Sequence, residues 1–412
     1  MGFWTLLEIS SMPIVQVLII SVLGAFMATD YLKLLPPHAR NSLNKIVFVV
    51  FTPSLIFASL AKTVRFQDII SWWFMPVNVG ITFLVGGGLG WVAVKILRPQ
   101  PHLQDLIIAI CATGNLGNIM LILIPAICKE DGNPFGEEAA CTRLGLSYVS
   151  FSMALGSFYI WTYTYHLIRS AASKYRAMLE DDEETAKEAN KDLEANERTL
   201  LLNGEEHIPI SSYADEDHSR KLSPKNGEWK HSATVWNQIL ATFHQIVEEL
   251  KAPPVLAAIF GLIFGAVTWL RNLIIGENAP FRVIDDSIKL LGDGTIPCIT
   301  LILGGNLTQG LSKAKLKSTT VIAVIIVRYA ILPAVGIGVV KLASHLGFLP
   351  SDPLYHFVLM LQFSLPPAMN IGTMTQLFDV AQEECSVLFL WTYLVAALAL
   401  TGWSTVFMWI LT

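Results

Sequence analysis

Long apolar runs separated by short polar connections follow one another along almost the whole chain. Ten of these runs approach the roughly 20 residues that an α-helix needs to cross a bilayer. They lie at about 13–29, 44–61, 72–95, 105–128, 146–168, 253–270, 284–307, 319–342, 354–378 and 386–411. This pattern predicts an all-α polytopic membrane protein with ten transmembrane helices.

The ninth apolar run is interrupted at its middle by two adjacent prolines, Pro366 and Pro367. Each proline removes a backbone donor and clashes with the preceding helical turn, so an intact helix cannot pass through them. Within a bilayer, such a break is tolerated only where it is buried in protein or lines a polar cavity. We therefore predict two half-helices here.

The fourth apolar run has a similar interruption, where Gly114 and Gly117 alternate with Asn115 and Asn118. Two interrupted spans at corresponding places in two halves of a chain are typical of a transporter binding site. The alternative is a pair of kinks that bind nothing. Because polar side chains lie at both breaks, the pattern favours a binding site.

The second half of the chain repeats the order of features in the first half. Lys45 precedes Pro53 by eight residues, and Lys289 precedes Pro297 by the same eight. The broken runs, four and nine, also correspond to each other. Each unit holds five spans, so the second unit inserts with the opposite topology. This predicts two inverted five-helix repeats, with broken helices four and nine crossing at the midplane.

The two predicted repeats, at 1–170 and 237–412, are separated by a hydrophilic segment at 171–236. This segment includes the acidic run Asp181–Glu184 and has too little apolar surface to form a core, which predicts a largely disordered loop. An acidic loop of this kind also leaves open a different class of function, a membrane receptor or scaffold.

Composition narrows the function classes further. The chain is 53% hydrophobic and 15% charged, and it carries no Walker loop, HExxH motif or nucleophile–base arrangement. We therefore expect neither an enzyme nor a nucleic-acid partner. The five cysteines are scattered without metal-ligand spacing, so we expect no disulfide framework, no metal site and no cofactor.

The orientation follows from Lys and Arg residues in the short loops. One side carries Lys33, Arg40, Lys95, Arg98, Arg169, Lys174, Lys313, Lys315 and Lys317. The other carries Lys62, Arg65, Lys129, Arg143, Arg271 and Arg282. This bias predicts a cytosolic long loop and both termini on the opposite side. The glycosylation sequon at Asn306 then faces the cytosol and stays unmodified.

The two breaks offer polar side chains and no Lys or Arg. Their inventory is Thr113, Asn115, Asn118, Ser364, Asn370 and Thr373. A half-helix that begins at a break presents unpaired N–H groups and the positive end of its dipole, which suits an anion. We infer a monovalent organic anion with an apolar body. Nearby aromatic residues (Phe48, Phe51, Phe57 and Phe363) and Leu365 are candidates to enclose that body, although ordinary helix packing is favoured for each.

Three charged residues lie within apolar runs and are candidates for a coupling role. Asp293 follows Lys289 by four residues in the seventh run, and Arg328 lies in the middle of the eighth. One interpretation is that Asp293 takes up a proton or cation while Arg328 or Lys289 sets its affinity. The other is a static buried pair that fixes helix packing.

Four stretches resemble the plant PIN-LIKES proteins of the auxin efflux carrier superfamily: Leu7–Leu18, Thr52–Phe57, Ala112–Asn118 and Ser364–Asn370. The resemblance covers both membrane halves. It implies a scaffold part and a transport part that undergo elevator-like alternating access. It also implies auxin (indole-3-acetic acid) as substrate and the endoplasmic reticulum membrane as location, with both termini lumenal. There the protein regulates intracellular auxin accumulation and signalling by sequestering the hormone.

The resemblance further implies which residues bind the substrate carboxylate. Related PIN carriers hold it at the crossing of two proline-broken helices, with help from asparagine. Matched by motif, the site comprises Asn115, Gly117, Asn118, Pro366, Pro367 and Asn370. The first break departs from that pattern, because glycines replace the proline. The carboxylate–lysine support site of the PIN carriers also has no clear counterpart here.

We therefore expect a secondary transporter of auxin that contacts membrane lipids, with a homodimer as a candidate assembly. One alternative is a proton- or sodium-coupled carrier of another monovalent organic anion, because the same inverted-repeat plan serves such carriers. The receptor or scaffold acting through the acidic loop is the alternative from another class.

Overall fold

The computed structural model describes residues 3–63, 70–129, 133–180, 251–276, 279–313 and 316–411. Within these residues every regular element is helical, and one isolated β-bridge joins two loops. Residues 1–172 and 249–412 form one compact unit, and 173–248 form a second unit of which 173–180 are described, as helix. Most of the predicted disordered loop, from residue 181 onward, lies outside the described residues.

Seven α-helices with defined bounds, and two π-helical turns, lie in the described part of the first half of the chain. The α-helices are α1 (Phe3–Met27), α2 (Pro37–Ile46), α3 (Thr52–Thr63), α4 (Phe74–Leu97), α5 (Pro101–Ala112), α6 (Asn118–Lys129) and α7 (Glu138–Tyr159). The π-helical turn Val47–Phe51 joins α2 to α3. A second one, Ile160–Thr164, follows α7, and the helix then continues to Glu180.

The second half forms nine further α-helices. They are α8 (Pro253–Ala266), α9 (Thr268–Ile274), α10 (Arg282–Asp293), α11 (Thr295–Lys313), α12 (Ser318–Ile326), α13 (Leu332–His345), α14 (Pro353–Leu361), α15 (Asn370–Leu377) and α16 (Gln382–Leu411). A third π-helical turn, Val327–Ile331, joins α12 to α13.

Six continuous helices among the described residues are long and apolar enough to cross a membrane. A seventh span arises if α8 and α9 are taken together, although they meet at an angle of 103°. Shorter apolar helices include α5 and most of α6. The structure thus confirms a helical polytopic membrane protein, whereas the count of ten spans and the inverted repeat stay predictions.

Small residues allow the closest helix contacts of the membrane unit. A Cβ atom on Gly24 of α1 would overlap the backbone of Leu301 in α11, and one on Gly304 would overlap Ser21. Gly86 and Gly90 in α4 face the α5 backbone in the same way. Helices in lipid gain stability from such close approach, because apolar burial alone does not distinguish a neighbouring helix from lipid.

Two of the π-helical turns lie just before prolines that interrupt the hydrogen-bond ladder. Val47–Phe51 precedes Pro53, and Val327–Ile331 precedes Pro333. Because proline has no N–H to donate to the preceding turn, the ladder shifts by one residue there.

A disulfide joins Cys128, at the end of α6, to Cys141, at the start of α7. The expectation of no disulfide was therefore wrong. A separation of 13 residues is not a recognisable motif. The pairing depends on the fold, which brings the two Cα atoms to 5.7 Å, within the range that a disulfide requires. Cys111, Cys298 and Cys385 are free thiols.

Candidate functional site

The two predicted helix breaks cross each other. The first break separates α5 from α6 and the second separates α14 from α15. They meet in an antiparallel β-bridge between Gly114 and Pro367. The amide nitrogen of Asn115 donates to the carbonyl oxygen of Pro366 at 2.8 Å, and that of Ala368 donates to Thr113 at 3.1 Å. Each break therefore satisfies backbone groups that the other leaves without a helical partner.

Side chains from later helices hold the crossing in place. The Tyr393 hydroxyl of α16 donates to the carbonyl oxygen of Pro367 at 2.9 Å and accepts from Asn115 Nδ2 at 3.1 Å. The hydroxyls of Thr113 and Thr164 lie 2.7 Å apart. One donor of the Asn115 amide is therefore used inside the protein and is not free for a ligand.

Arg328 lies at the crossing and is 0% exposed. Its Nη1 donates to the carbonyl oxygen of Cys111 at 2.9 Å, and its Nη2 donates to the carbonyl oxygen of Leu365. Among the described residues, no carboxylate forms an ion pair with this guanidinium. Arg328 therefore contacts the backbone of both breaks, which was not evident from its position in the sequence.

The structure does not bring the three coupling candidates together. Asp293, at the end of α10, is exposed, and so is Lys289. No ion pair joins Asp293 to Lys289 or to Arg328 in the described part of the chain, where α10 instead holds an exposed pair between Arg282 and Asp286 at 3.3 Å. The interpretation of a static buried pair was therefore wrong, and a coupling role for Asp293 stays a prediction.

A cavity with an empty volume of about 660 Å³, open on one side, lies beside the crossing. Its polar lining comprises Thr52, Ser59, Asn115, Ser157, Thr295 and Asn370. Its apolar lining comprises mainly Leu55, Ile56, Leu60, Met153, Ile160, Ile296, Ile299 and Met369. No Lys, Arg, Asp or Glu is among its described lining residues, so charge on a ligand would meet only dipoles and neutral polar groups.

The half-helices that follow the breaks begin at this cavity. Asn370 is the first residue of α15, is half-buried, and makes no side-chain hydrogen bond to another described residue. Asn118 is the first residue of α6, and its side chain lies outside the described atoms. Both helix starts therefore coincide with asparagines that the family resemblance assigns to the site. Each start carries about half a positive charge from its helix dipole.

The remaining predicted site residues form the backbone of the crossing. Pro366 and Pro367 supply carbonyl oxygens to Asn115 and Tyr393. Gly117 lines the cavity, and a Cβ atom there would lie 2.5 Å from Cγ of Met153. The prolines thus act through the shape of the break, and glycine is needed at position 117 because α7 packs directly against it.

Two threonines that sequence reasoning did not single out also line the cavity. The Thr52 and Thr295 hydroxyls are buried and have no hydrogen-bond partner among the described residues. An unpaired buried hydroxyl costs free energy that a bound partner would recover. The only sequence signal was the position of each threonine one or two residues before a proline.

The candidate aromatic residues pack between helices and do not line the cavity. Phe48 contacts Trp161 with ring centroids 5.4 Å apart, and Phe57 contacts Phe264 at the same distance. Phe363 is buried against Gly336. The interpretation of ordinary helix packing is therefore confirmed for these residues, and aliphatic side chains and methionines form the apolar wall instead.

A neutral amide network connects α4 to the second broken helix. Asn78 Nδ2 donates to Gln362 Oε1 at 2.7 Å and to the carbonyl oxygen of Leu359 at 3.1 Å. Gln362 Nε2 donates in turn to Ser152 of α7 at 2.9 Å. Asn78 lies in the third apolar run, Ser152 in the fifth and Gln362 in the ninth. The amides of Asn78 and Gln362 hold the end of α14 by hydrogen bonds, and neither amide is titratable.

Comparison with known proteins places this arrangement in a family. A family model described as membrane transport protein matches residues 9–404. The chain is 62% identical over 411 residues to Protein PIN-LIKES 7 of Arabidopsis thaliana, covering 100% of both chains. It is 58% identical over 408 residues to Protein PIN-LIKES 5 of the same plant, covering 99% of both. An uncharacterized transporter of Saccharomyces cerevisiae is 23% identical, over 93% of this chain and 91% of its own. The chain therefore belongs to the membrane transport protein family and, within it, to the PIN-LIKES proteins.

Proposed function

We propose that this protein is a secondary transporter of auxin, indole-3-acetic acid, in the endoplasmic reticulum membrane. The observation that carries the proposal is the crossing of two broken helices through the Gly114–Pro367 bridge, beside an open cavity. Broken helices that cross in this way put half-helix ends, and therefore backbone charge, at the middle of a membrane unit.

The chemistry of the cavity suits a monovalent acid with an apolar body. The starts of α6 and α15 together supply about one positive charge, which matches a single carboxylate. Asn370 offers an amide donor at the same place. Aliphatic side chains line much of the cavity, which is partly open, so an apolar body would meet apolar surface there. An indole ring with one carboxylate fits this combination.

The distribution of the lining residues supports alternating access. The cavity is lined by Thr52 to Leu60 of α3 and Thr295 to Ile299 of α11, and also by residues of α7 and the starts of α6 and α15. We assign α3 and α11 to a scaffold part and the broken helices to a transport part. An elevator-like displacement of the transport part along the scaffold part would carry a bound anion across the membrane.

The predicted ten-span inverted repeat belongs to the same proposal. Each half contributes one pair of half-helices, α5 with α6 and α14 with α15. The second member of each pair begins at one of the matched asparagines, Asn118 or Asn370. Corresponding breaks in two halves support an internal repeat of opposite topology.

The Cys128–Cys141 disulfide supports the proposed orientation. It joins α6 to α7 beside Lys129 and Arg143, on the side that the Lys and Arg bias makes lumenal. Disulfides persist in oxidising compartments such as the lumen of the endoplasmic reticulum, not in the cytosol. The long acidic loop is then cytosolic. Asn306 of the sequon is buried within α11, which fits an unmodified residue.

The function is tested by uptake of labelled indole-3-acetic acid into proteoliposomes that contain the full-length protein. We expect uptake above that of protein-free liposomes and competition by other monovalent acids with apolar bodies. Absence of uptake and of binding contradicts the proposal. A clear preference for another acid, with uptake that requires a sodium or proton gradient, instead supports an ion-coupled carrier of a different anion.

The role of Asn370 is tested with the variant Asn370→Ala. If the amide binds the carboxylate, we expect binding to weaken by about 1–3 kcal/mol. Asn272→Ala is the matched control, because Asn272 is exposed on α9 and lies away from the cavity lining. If Asn370→Ala binds the anion as tightly as the wild type, the Asn370 amide does not bind the carboxylate.

The acidic loop is tested separately, by deletion of residues from about 180 to 230. A transporter keeps its uptake after this deletion, because the cavity is built from residues outside the loop. Loss of a cellular effect with uptake preserved would instead support a receptor or scaffold function. Fluorescent tagging of the full chain, compared with an endoplasmic reticulum marker, tests the location.

A further inference from the structure

Arg328 is a permanent positive charge in the interior of a membrane protein, and the described residues supply no carboxylate to neutralise it. Arginine stays protonated in proteins. A buried charge without compensation is strongly unfavourable, so the surrounding backbone must supply the compensation. The guanidinium therefore identifies a region of negative potential at the crossing.

The backbone around Arg328 provides that potential. Cys111, whose carbonyl oxygen accepts from Nη1, lies in the last turn of α5, and Leu365, which accepts from Nη2, lies in the break that follows α14. The C-terminus of α5 carries about half a negative charge. The Leu365 carbonyl, four residues beyond the end of α14, adds the negative end of a further peptide dipole. Asn115 and Thr113 bond across the breaks and leave these carbonyls to Arg328.

The local structure holds the guanidinium in this position. Arg328 lies within the π-helical turn Val327–Ile331, ahead of Pro333, and its whole side chain is buried. Gly114 leaves room for it, because a Cβ atom there would lie 3.1 Å from Nη2. Both bonds go to backbone oxygens that cannot titrate, so nothing in this contact changes with a proton cycle.

We propose that Arg328 is the resident counter-charge of the crossing, a positioning residue that substitutes for a bound cation. It neutralises the C-terminal end of α5 and the Leu365 carbonyl of the second break, so that the N-terminal ends of α6 and α15 present an uncompensated positive potential to the cavity. It also fixes the spacing of the two breaks. Arg328 does not line the cavity and acts on the anion through the half-helices. This inference rests on the proposed function and replaces the coupling role considered from sequence.

The test uses the full-length protein with Arg328→Ala and Arg328→Lys, and with Leu332→Ala as control. Leu332 is buried one turn further along the same helix, so its truncation opens a cavity without removing a charge. Equilibrium binding of indole-3-acetate and thermal unfolding are measured in choline, sodium and millimolar guanidinium chloride. That guanidinium concentration is far below the denaturing range.

We expect Arg328→Ala to bind the anion about tenfold or more weakly and to regain affinity and thermal stability when guanidinium is added. Arg328→Lys keeps the charge but reaches the two carbonyls less well, so its affinity falls between those of the wild type and Arg328→Ala. Leu332→Ala loses stability without responding to guanidinium. If guanidinium restores affinity and stability only in Arg328→Ala, the defect of that variant is the missing charge. A defect caused by lost packing would not respond to guanidinium.

Several results overturn the inference. One is wild-type affinity in Arg328→Ala, and another is a folded Arg328→Ala that ignores guanidinium. Failure of both Arg328 variants to fold also overturns it, because lysine retains the charge that is held responsible. If the wild type does not bind indole-3-acetate, the proposed function fails on its own. The guanidinium-dependent unfolding temperature of Arg328→Ala then still decides the role of Arg328.

Discussion

The amide nitrogen of Asn115 donates to the carbonyl oxygen of Pro366 across 2.8 Å, and this bond joins two helix breaks that are far apart in sequence. Proline cannot continue a helix, and its preceding backbone leaves acceptors free. The glycine-rich first break supplies the donor. The two interruptions are therefore not independent defects, because each provides the partner that the other needs inside a membrane.

Tyr393 is the side chain that most directly reinforces this contact. Replacing it with phenylalanine removes a hydroxyl that donates to Pro367 and accepts from Asn115, while the ring stays in place. We expect a loss of about 1–3 kcal/mol in stability, because two buried groups lose a partner. Thermal unfolding of the purified protein measures the loss. Tyr31→Phe is the control, since Tyr31 is exposed, and an equal effect in both variants would contradict the role of Tyr393.

Much of this crossing could be predicted from the sequence. Paired prolines and alternating glycines within apolar runs have direct consequences for backbone hydrogen bonding, so the positions of both breaks were evident. In the structure Asn118 and Asn370, which the sequence placed at the breaks, are the first residues of the second half-helices. These features are local, and local sequence determines them.

The partners of the crossing could not be predicted, because they come from distant parts of the chain. Tyr393 meets Asn115 across 278 residues, and Arg328 meets Cys111 across 217. The sequence showed Arg328 as an intramembrane charge with Asp293 as a candidate partner, yet its guanidinium donates to backbone oxygens. The direction in which a side chain leaves its helix depends on the packing of several helices. The spacing of apolar residues along the sequence does not determine that direction.

Gly117 is a further position where packing limits the side chain. A Cβ atom there would lie 2.5 Å from Cγ and 2.6 Å from Sδ of Met153, so Gly117→Ala forces α6 and α7 apart or moves the methionine. We expect a destabilisation of about 1–3 kcal/mol and weaker anion binding. The double variant Gly117→Ala, Met153→Ala should recover part of the stability.

The control for Gly117 is Gly88→Ala in α4, where no atom lies within 4 Å of the added methyl group. Alanine should be tolerated or mildly stabilising there, because glycine is a poor helix former. Thermal unfolding and ligand binding of all variants are compared side by side. Equal loss at both glycines would show that the contact with Met153 is not the cause.

The disulfide gives a prediction about both stability and orientation. Replacing Cys128 and Cys141 together by serine removes a cross-link across 13 residues, and we expect a loss of about 3 kcal/mol by the chain-entropy estimate. Reducing agent should lower the unfolding temperature of the wild type but not that of the double variant. Cys298→Ser, which removes a free thiol, is the control.

The same cysteines report the compartment of the α6–α7 connection. In sealed microsomes, a thiol reagent that does not cross membranes should leave Cys128 and Cys141 unlabelled even after a membrane-impermeant reductant is added outside. Labelling of these two residues without disruption of the membrane would place the connection in the cytosol and reverse the proposed orientation.

Thr295 provides a prediction in which stability and binding change in opposite directions. Its hydroxyl is buried in the cavity lining and has no partner among the described residues, so Thr295→Val replaces an unsatisfied polar group by a methyl group of similar size. We expect the unliganded protein to gain up to about 1–3 kcal/mol of stability. If a ligand normally bonds to the hydroxyl, its affinity falls, and ligand-induced stabilisation shrinks.

Thr300→Val is the matched control on the same helix, because the Thr300 hydroxyl already donates to the carbonyl oxygen of Ile296 at 2.7 Å. Thr300→Val removes that hydrogen bond, so the stability of the protein should stay the same or fall. The affinity for the anion should not change. Thermal unfolding with and without indole-3-acetate distinguishes the two positions. If Thr295→Val is more stable than the wild type and binds the anion equally well, the Thr295 hydroxyl plays no part in binding. The free-energy cost of the unpaired hydroxyl would then not be recovered when the anion binds.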